Sequence, residues 1–133
     1  MAEQQQSQPS GPENALFVCF GGLSNVGTLS GLAALEVVRE LTPRKACIFC
    51  LGALPARSES VMEKARAAQR IITVDGCDKN CARHIVEEPG FRPTRSITIE
   101  QDCGVEKKPA FAFDEGDLQK VRQAILDALQ AQG

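Results

Sequence analysis

Short apolar runs alternate along this chain with longer stretches in which apolar residues recur every three or four positions. The first run, ALFVCF (residues 15–20), is continuous, the pattern of a strand buried on both faces. The turn GGLSNVG follows. TLSGLAALEVVREL then carries apolar residues at helical spacing, with Pro43 just beyond it, where helices stop. KACIFCLG predicts a second strand, and SESVMEKARAAQ a helix with Ser58 as its N-cap. RIITVDG predicts a third strand. DKNCARHIVEEPG predicts a helix capped by Asp78 and stopped at Pro89-Gly90. RSITIE predicts a fourth strand, closed by Asp102-Cys103-Gly104. In the last segment, DEGDLQKVRQAILDALQAQ, a helical stripe runs through Leu118, Val121, Ile125, Leu126 and Leu129.

Strands alternating with helices predict a parallel sheet covered on both faces. The expected fold is a single three-layer α/β/α domain on a mostly parallel four-stranded sheet, Rossmann-like in plan. The domain is expected over residues 14–133, after a tail of residues 1–13 whose Gln, Ser and Pro content predicts disorder. The stripe on the last helix serves either to pack that helix on the sheet or to join two copies as a homodimer.

Composition narrows the function. With 133 residues and 43% hydrophobic content, the chain suffices for one domain with a real core. A net charge of −2 disfavours a polyanion-binding surface, and the absence of Trp and Tyr disfavours a platform for stacking bases. Nucleic acid is therefore not an expected partner. No apolar run reaches the roughly 18 residues of a membrane span, and the first residues lack the features of a signal peptide. The expected compartment is the cytosol, where thiols stay reduced. Six cysteines in that setting point to metal or thiol chemistry rather than disulfides.

The predicted elements sort those cysteines. Cys19 falls near the end of the first strand, Cys50 closes the second, and Cys77 lies just past the third. Cys81 falls in the first turn of the next helix, and Cys103 just past the fourth strand. In an open parallel sheet these points share the carboxyl edge, where such folds place ligands. Cys47 is the exception and reads as a small buried apolar residue. Cys77 and Cys81 straddle a strand-to-helix turn. One helical turn of offset lets two sulfurs approach the roughly 3.8 Å separation of tetrahedral zinc, with Zn–S near ~2.3 Å. The helix N-terminus favours thiolate, and Lys79 and Arg83 lie close enough in sequence to offset its charge. Asp75 reads as a residue that hydrogen-bonds turn amides or holds a ligand from behind. Ser24 or Asn25 caps the first helix.

VDGC followed by CAR, with an upstream C…SNVG and a central CLG, resembles the DGC-domain family, named for the Asp-Gly-Cys motif found here as Asp75-Gly76-Cys77. The resemblance covers roughly residues 14–108. It implies zinc binding without an established reaction. It also implies a set of four metal cysteines, Cys19, Cys50, Cys77 and Cys81. Cys103 is outside that shared set, and the turn after Cys19 is one residue longer than the family's usual run.

Zinc is the leading cofactor because four thiolates suit it, with an iron–sulfur cluster as the alternative. Cys103 stands between a fifth sulfur at the rim and a turn residue beside Gly104. His84, three residues after Cys81 and nearly on the same helical face, reads as a partly exposed helix residue, with a role as a further ligand as the alternative. A different class of function is also open, since Cys77 to Arg83 has the Cys-x5-Arg spacing of phosphatases and arsenate reductases. Thiol redox chemistry through Cys77 and Cys81, with Cys103 as resolving partner, is a further alternative.

Overall fold

The computed structural model of the chain describes residues 11–130. Four strands form one parallel sheet: β1 (Asn14–Val18), β2 (Ala46–Ile48), β3 (Arg70–Asp75) and β4 (Arg95–Thr98), in the order β2-β1-β3-β4. Five helices connect and cover them: α1 (Asn25–Arg39), α2 (Glu59–Ala67), α3 (Cys81–Glu87), the single turn α4 (Ile99–Asp102) and α5 (Glu115–Gln130). A 3-10 turn, Leu51–Ala53, follows β2.

The apolar runs became strands because both faces of the sheet are covered. Every residue of β1 is buried. Alternate residues point to opposite faces, and the two faces build two cores. Leu16, Val18, Ile72 and Val74 join α1 and α5 through Leu29, Ala33, Val121 and Ile125. Ala15, Phe17 and Ile71 join α2 and α3 through Met62, Ala65 and Val86. The stripe on α5 lies in the first core: Leu118, Val121, Ile125 and Leu129 are buried there, and Leu126 is partly buried against it. It is a packing face, not a face left open for a second copy.

The register fixes where the site can be. β1 pairs with β2 (Leu16 opposite Ile48) and with β3 (Val18 opposite Val74). From β1 the chain crosses to one neighbour, and from β3 it crosses to β4 on the other side. The carboxyl ends of β1 and β3 therefore form the switch point, the crevice where open α/β sheets bind ligands.

Several sequence expectations move. α1 starts at Asn25, three residues before the apolar stretch read as helix, and Ser24, one of the two expected caps, caps it. Ser58 occupies the cap position of α2 but makes no side-chain cap bond. The run RSITIE is not all strand. Asp102 accepts a hydrogen bond from the Thr98 N–H at 2.7 Å and turns Ile99–Asp102 into helix. Most of the expected tail lies outside the described residues. Glu13, near its end, is tied into the sheet, donating its N–H to the Arg44 carbonyl and accepting from the Arg70 N–H.

Candidate metal centre

Cys19 stands one residue past β1 and still donates its N–H to the Val74 carbonyl at 2.9 Å, so the strand holds its position. Phe20 then turns the chain through the left-handed region at φ 54. The Gly21 and Gly76 backbone N–H groups face the Cys19 sulfur and favour its thiolate. Burial pushes its thiol pKa up; the Gly21 N–H opposes that rise, and the charges of Asp75 and Cys81 add to it. Cys19, Asp75, Gly76 and Cys81 are thus gathered at the switch point.

The approach of these turns depends on absent side chains. A Cβ on Gly27 would collide with the carbonyl oxygen of Gly21, and one on Gly76 would lie 2.6 Å from the Gly27 nitrogen. The turn after β3 therefore rests on the first turn of α1. Ser24 caps that helix by accepting the Gly27 N–H at 3.3 Å. Asn25 is not the cap. Its buried amide binds the loop before α5, donating to the carbonyls of Glu106 (2.9 Å) and Ala112 (3.3 Å) and accepting from the Lys108 N–H (2.7 Å).

Asp75 is the second anchor. Its carboxylate is buried and accepts the N–H groups of Ala82 (2.7 Å) and Arg83 (3.0 Å), two of the unpaired donors at the start of α3. Burial raises its pKa; the two N–H bonds and the positive charges of His84 and Arg83 act against that rise. The cap expected from Asp78 is therefore absent. Asn80 occupies the cap position in the left-handed region at φ 51, without a side-chain cap bond. The Thr98 hydroxyl donates to its side-chain oxygen at 2.7 Å and holds it there.

The cysteines differ in their burial. Cys77 is half-buried and packs against the α1–α5 core. Cys81 is exposed at the first position of α3. Cys50 is exposed as well. It lies two residues past β2, at the head of the 3-10 turn, rather than closing the strand. Cys103 follows α4 and leans on the last helix, its sulfur 3.9 Å from the Lys120 carbonyl. Burial raises its pKa, the Asp102 charge adds to the rise and Lys120 opposes it. Cys47, expected to be buried, is half-buried on β2, and its thiol donates to the Pro43 carbonyl at 3.1 Å. His84 is exposed, beside a surface cleft lined by Pro55, Arg57 and Glu88.

All six cysteines are free thiols. Among the described residues, no three His, Cys, Asp or Glu side chains stand close enough together to hold a metal ion. The donors fit a thiophilic ion in kind and in their placement at one edge, but the side chains are not closed around a common point. The Cys-x5-Arg arrangement fits its chemistry less well. Asp75 occupies the Ala82 and Arg83 N–H groups that an oxyanion would need. The Arg83 guanidinium pairs instead with Glu87 at 3.2 Å. It therefore does not turn back toward the thiols.

Sequence reading missed what holds the turns: the Asp75 cap, the Asn80–Thr98 bond and the Asn25 clamp. Each joins residues whose partners lie elsewhere in the fold. The nearest local signal was the pair of glycines, Gly27 and Gly76, where a Cβ would meet backbone.

The fold and the site define a parallel α/β protein with the free thiols of Cys19 and Cys81 at the switch point of its sheet. The model of the DGC domain matches residues 15–125, and the chain belongs to that family. No curated protein and no solved structure matches it.

Proposed function

We propose that this protein binds zinc through Cys19, Cys50, Cys77 and Cys81 at the carboxyl edge of its sheet. The observation that carries this reading is the setting of Cys19. It sits at the switch point, the Gly21 and Gly76 N–H groups act to lower its thiol pKa, and Cys81 is its electrostatic neighbour. N–H donors to sulfur stabilise the thiolate that a metal requires. Cys50 and Cys81 are exposed, so their side chains are able to turn toward Cys19. Binding zinc displaces the thiol protons, so affinity falls as pH falls. Burial of Cys19 extends that dependence to higher pH, because its proton is harder to remove.

The metal is not the source of the fold. Both apolar cores close without Cys19, Cys50 or Cys81. That favours metal handling or sensing over scaffolding. Four thiolates also leave no open position for a substrate, which favours a binding protein over an enzyme. No helix among the described residues is long and apolar enough to cross a membrane, and reduced thiols suit the cytosol.

Anaerobic purification and elemental analysis of single Cys→Ser variants test the assignment. Changes at Cys19, Cys50, Cys77 and Cys81 should each remove most of the zinc, and Cys103→Ser should remove none. Full zinc retention by Cys19→Ser would contradict the proposal. Iron with an equal amount of sulfide in the parent protein would replace zinc with a cluster.

A further inference from the structure

Asn80 knots the turn that carries Cys77 and Cys81. Its N–H donates to the Cys77 carbonyl at 3.1 Å, and its own carbonyl accepts the His84 N–H at 3.0 Å as α3 begins. Its side-chain amide donates to the Asp78 carbonyl at 3.2 Å. Asn80 is therefore joined to Cys77 by a hydrogen bond and to Cys81 by the peptide bond between them. All of these links are local. They relate the two thiols to each other, but not to Cys19.

Cys19 is placed by the sheet, through its N–H bond to the Val74 carbonyl. Two strand-end side chains tie the turn to that same sheet. Asp75 holds Ala82 and Arg83, on one side of Cys81. On the other side the buried Thr98 donates its hydroxyl to the Asn80 side-chain oxygen at 2.7 Å. Asp75 and Thr98 are register partners at the carboxyl ends of β3 and β4. One level of the sheet thus grips the backbone on both sides of Cys81. The Thr98 bond also holds Asn80 in the left-handed region, which residues other than glycine tend to leave.

We infer that Thr98 is a positioning residue of the proposed zinc centre: acting through Asn80, its hydroxyl sets Cys77 and Cys81 against Cys19. β4 supplies no cysteine and acts on the metal through this one side chain. The inference rests on the zinc reading for its metal, and on the hydrogen bonds above for its geometry. Groups that orient metal ligands from behind change affinity by roughly 10–100-fold when they are removed. Thr98 acts through a neighbour of the ligand rather than on the sulfur itself, which places its effect at the lower end of that range.

The test uses the full reduced chain. Zinc affinity is measured by competition with a chromophoric chelator, and amide hydrogen exchange is measured on the metal-free protein. Thr98→Val keeps the branched shape and removes the hydroxyl. It should weaken zinc binding about tenfold. It should also speed exchange at the Asn80 and His84 amides, while the amides of β1 and β3 keep their rates. Thr98→Ser keeps the hydroxyl and should restore both readouts. Asn80→Gly tolerates the left-handed turn and removes the acceptor, so it should match Thr98→Val, and it repeats the comparison outside the core if Thr98→Val disturbs the sheet. Because both changes break one bond, the double variant should bind zinc no more weakly than either single one. Faster exchange with unchanged zinc affinity would overturn the inference. So would additive losses in the double variant, or an affinity that Thr98→Ser fails to restore. A parent chain that takes up no zinc would sink the zinc reading instead, whereas unchanged exchange in Thr98→Val would sink the positioning role by itself.

Discussion

After β1 the chain turns through Phe20 at φ 54 and enters α1 under a local cap, with Ser24 accepting the N–H of Gly27. After β3 it turns through Asn80 at φ 51 and enters α3 with no cap of its own. There the cap is Asp75, the last residue of the strand, which reaches across the turn to Ala82 and Arg83. The first helix runs 15 residues and the second 7. A long helix packed along its length depends little on one cap, whereas a short one gains little from propensity and depends on what holds its first turn. The second turn carries Cys77 and Cys81, so the more dependent of the two holds half of the proposed donors.

The strongest way to break this comparison is to fill the space the two turns share. A Cβ on Gly27 meets backbone at Gly21, and one on Gly76 meets the backbone of Val26 and Gly27. Backbone cannot step aside as a side chain can. Gly27→Ala should cost on the order of 3 kcal/mol or more, with Gly76→Ala close behind. Urea unfolding monitored by circular dichroism measures both. A loss below about 1 kcal/mol at either site would mean that the turns do not rest on each other.

The next effect separates the caps. Asp75→Ala leaves two N–H groups without their acceptor and should cost about 2–3 kcal/mol, against about 1 kcal/mol for Ser24→Ala. Equal costs would erase the distinction between the turns. The pH dependence has a definite sign. Burial lifts the folded pKa of Asp75 above its unfolded value, so between the two values the folded chain holds more protons. Its contribution to stability is fully present below the unfolded value and declines as pH rises through the folded one. Asp75→Asn should flatten that decline in unfolding curves taken across the acid range.

The smallest effect concerns Cys19 alone. Because burial raises its thiol pKa, alkylation by iodoacetamide should keep accelerating with pH beyond the point where a small free thiol levels off. Asp75→Asn removes one of the charges behind that rise and should shift the profile slightly toward lower pH. A Cys19 profile identical to that of the free thiol would show that the site is not desolvated.

Much of this architecture was legible in the chain. ALFVCF and RIITVDG are apolar throughout because their strands are buried on both faces, and the α5 stripe announces a packed helix. The placement of Cys19, Cys77 and Cys81 at the carboxyl edge followed from that order. What was not legible depends on contacts across the fold. Asp78 has the right residue type and spacing for a cap, but Asn80 is locked in the left-handed region by Thr98 and Asp75 supplies the cap from behind. Cys103 follows the turn that Asp102 holds and leans on α5, a contact that residue type and spacing do not announce. Cys50 lies two residues beyond its strand, since β2 ends at Ile48 and a 3-10 turn begins after Cys50.

The most direct measurement of the central claim is X-ray absorption at the zinc edge of anaerobically loaded protein. Four sulfur neighbours at about 2.3 Å, and no nitrogen or oxygen, are expected from Cys19, Cys50, Cys77 and Cys81. A first shell dominated by nitrogen and oxygen, or one left unchanged by Cys19→Ser, would contradict it.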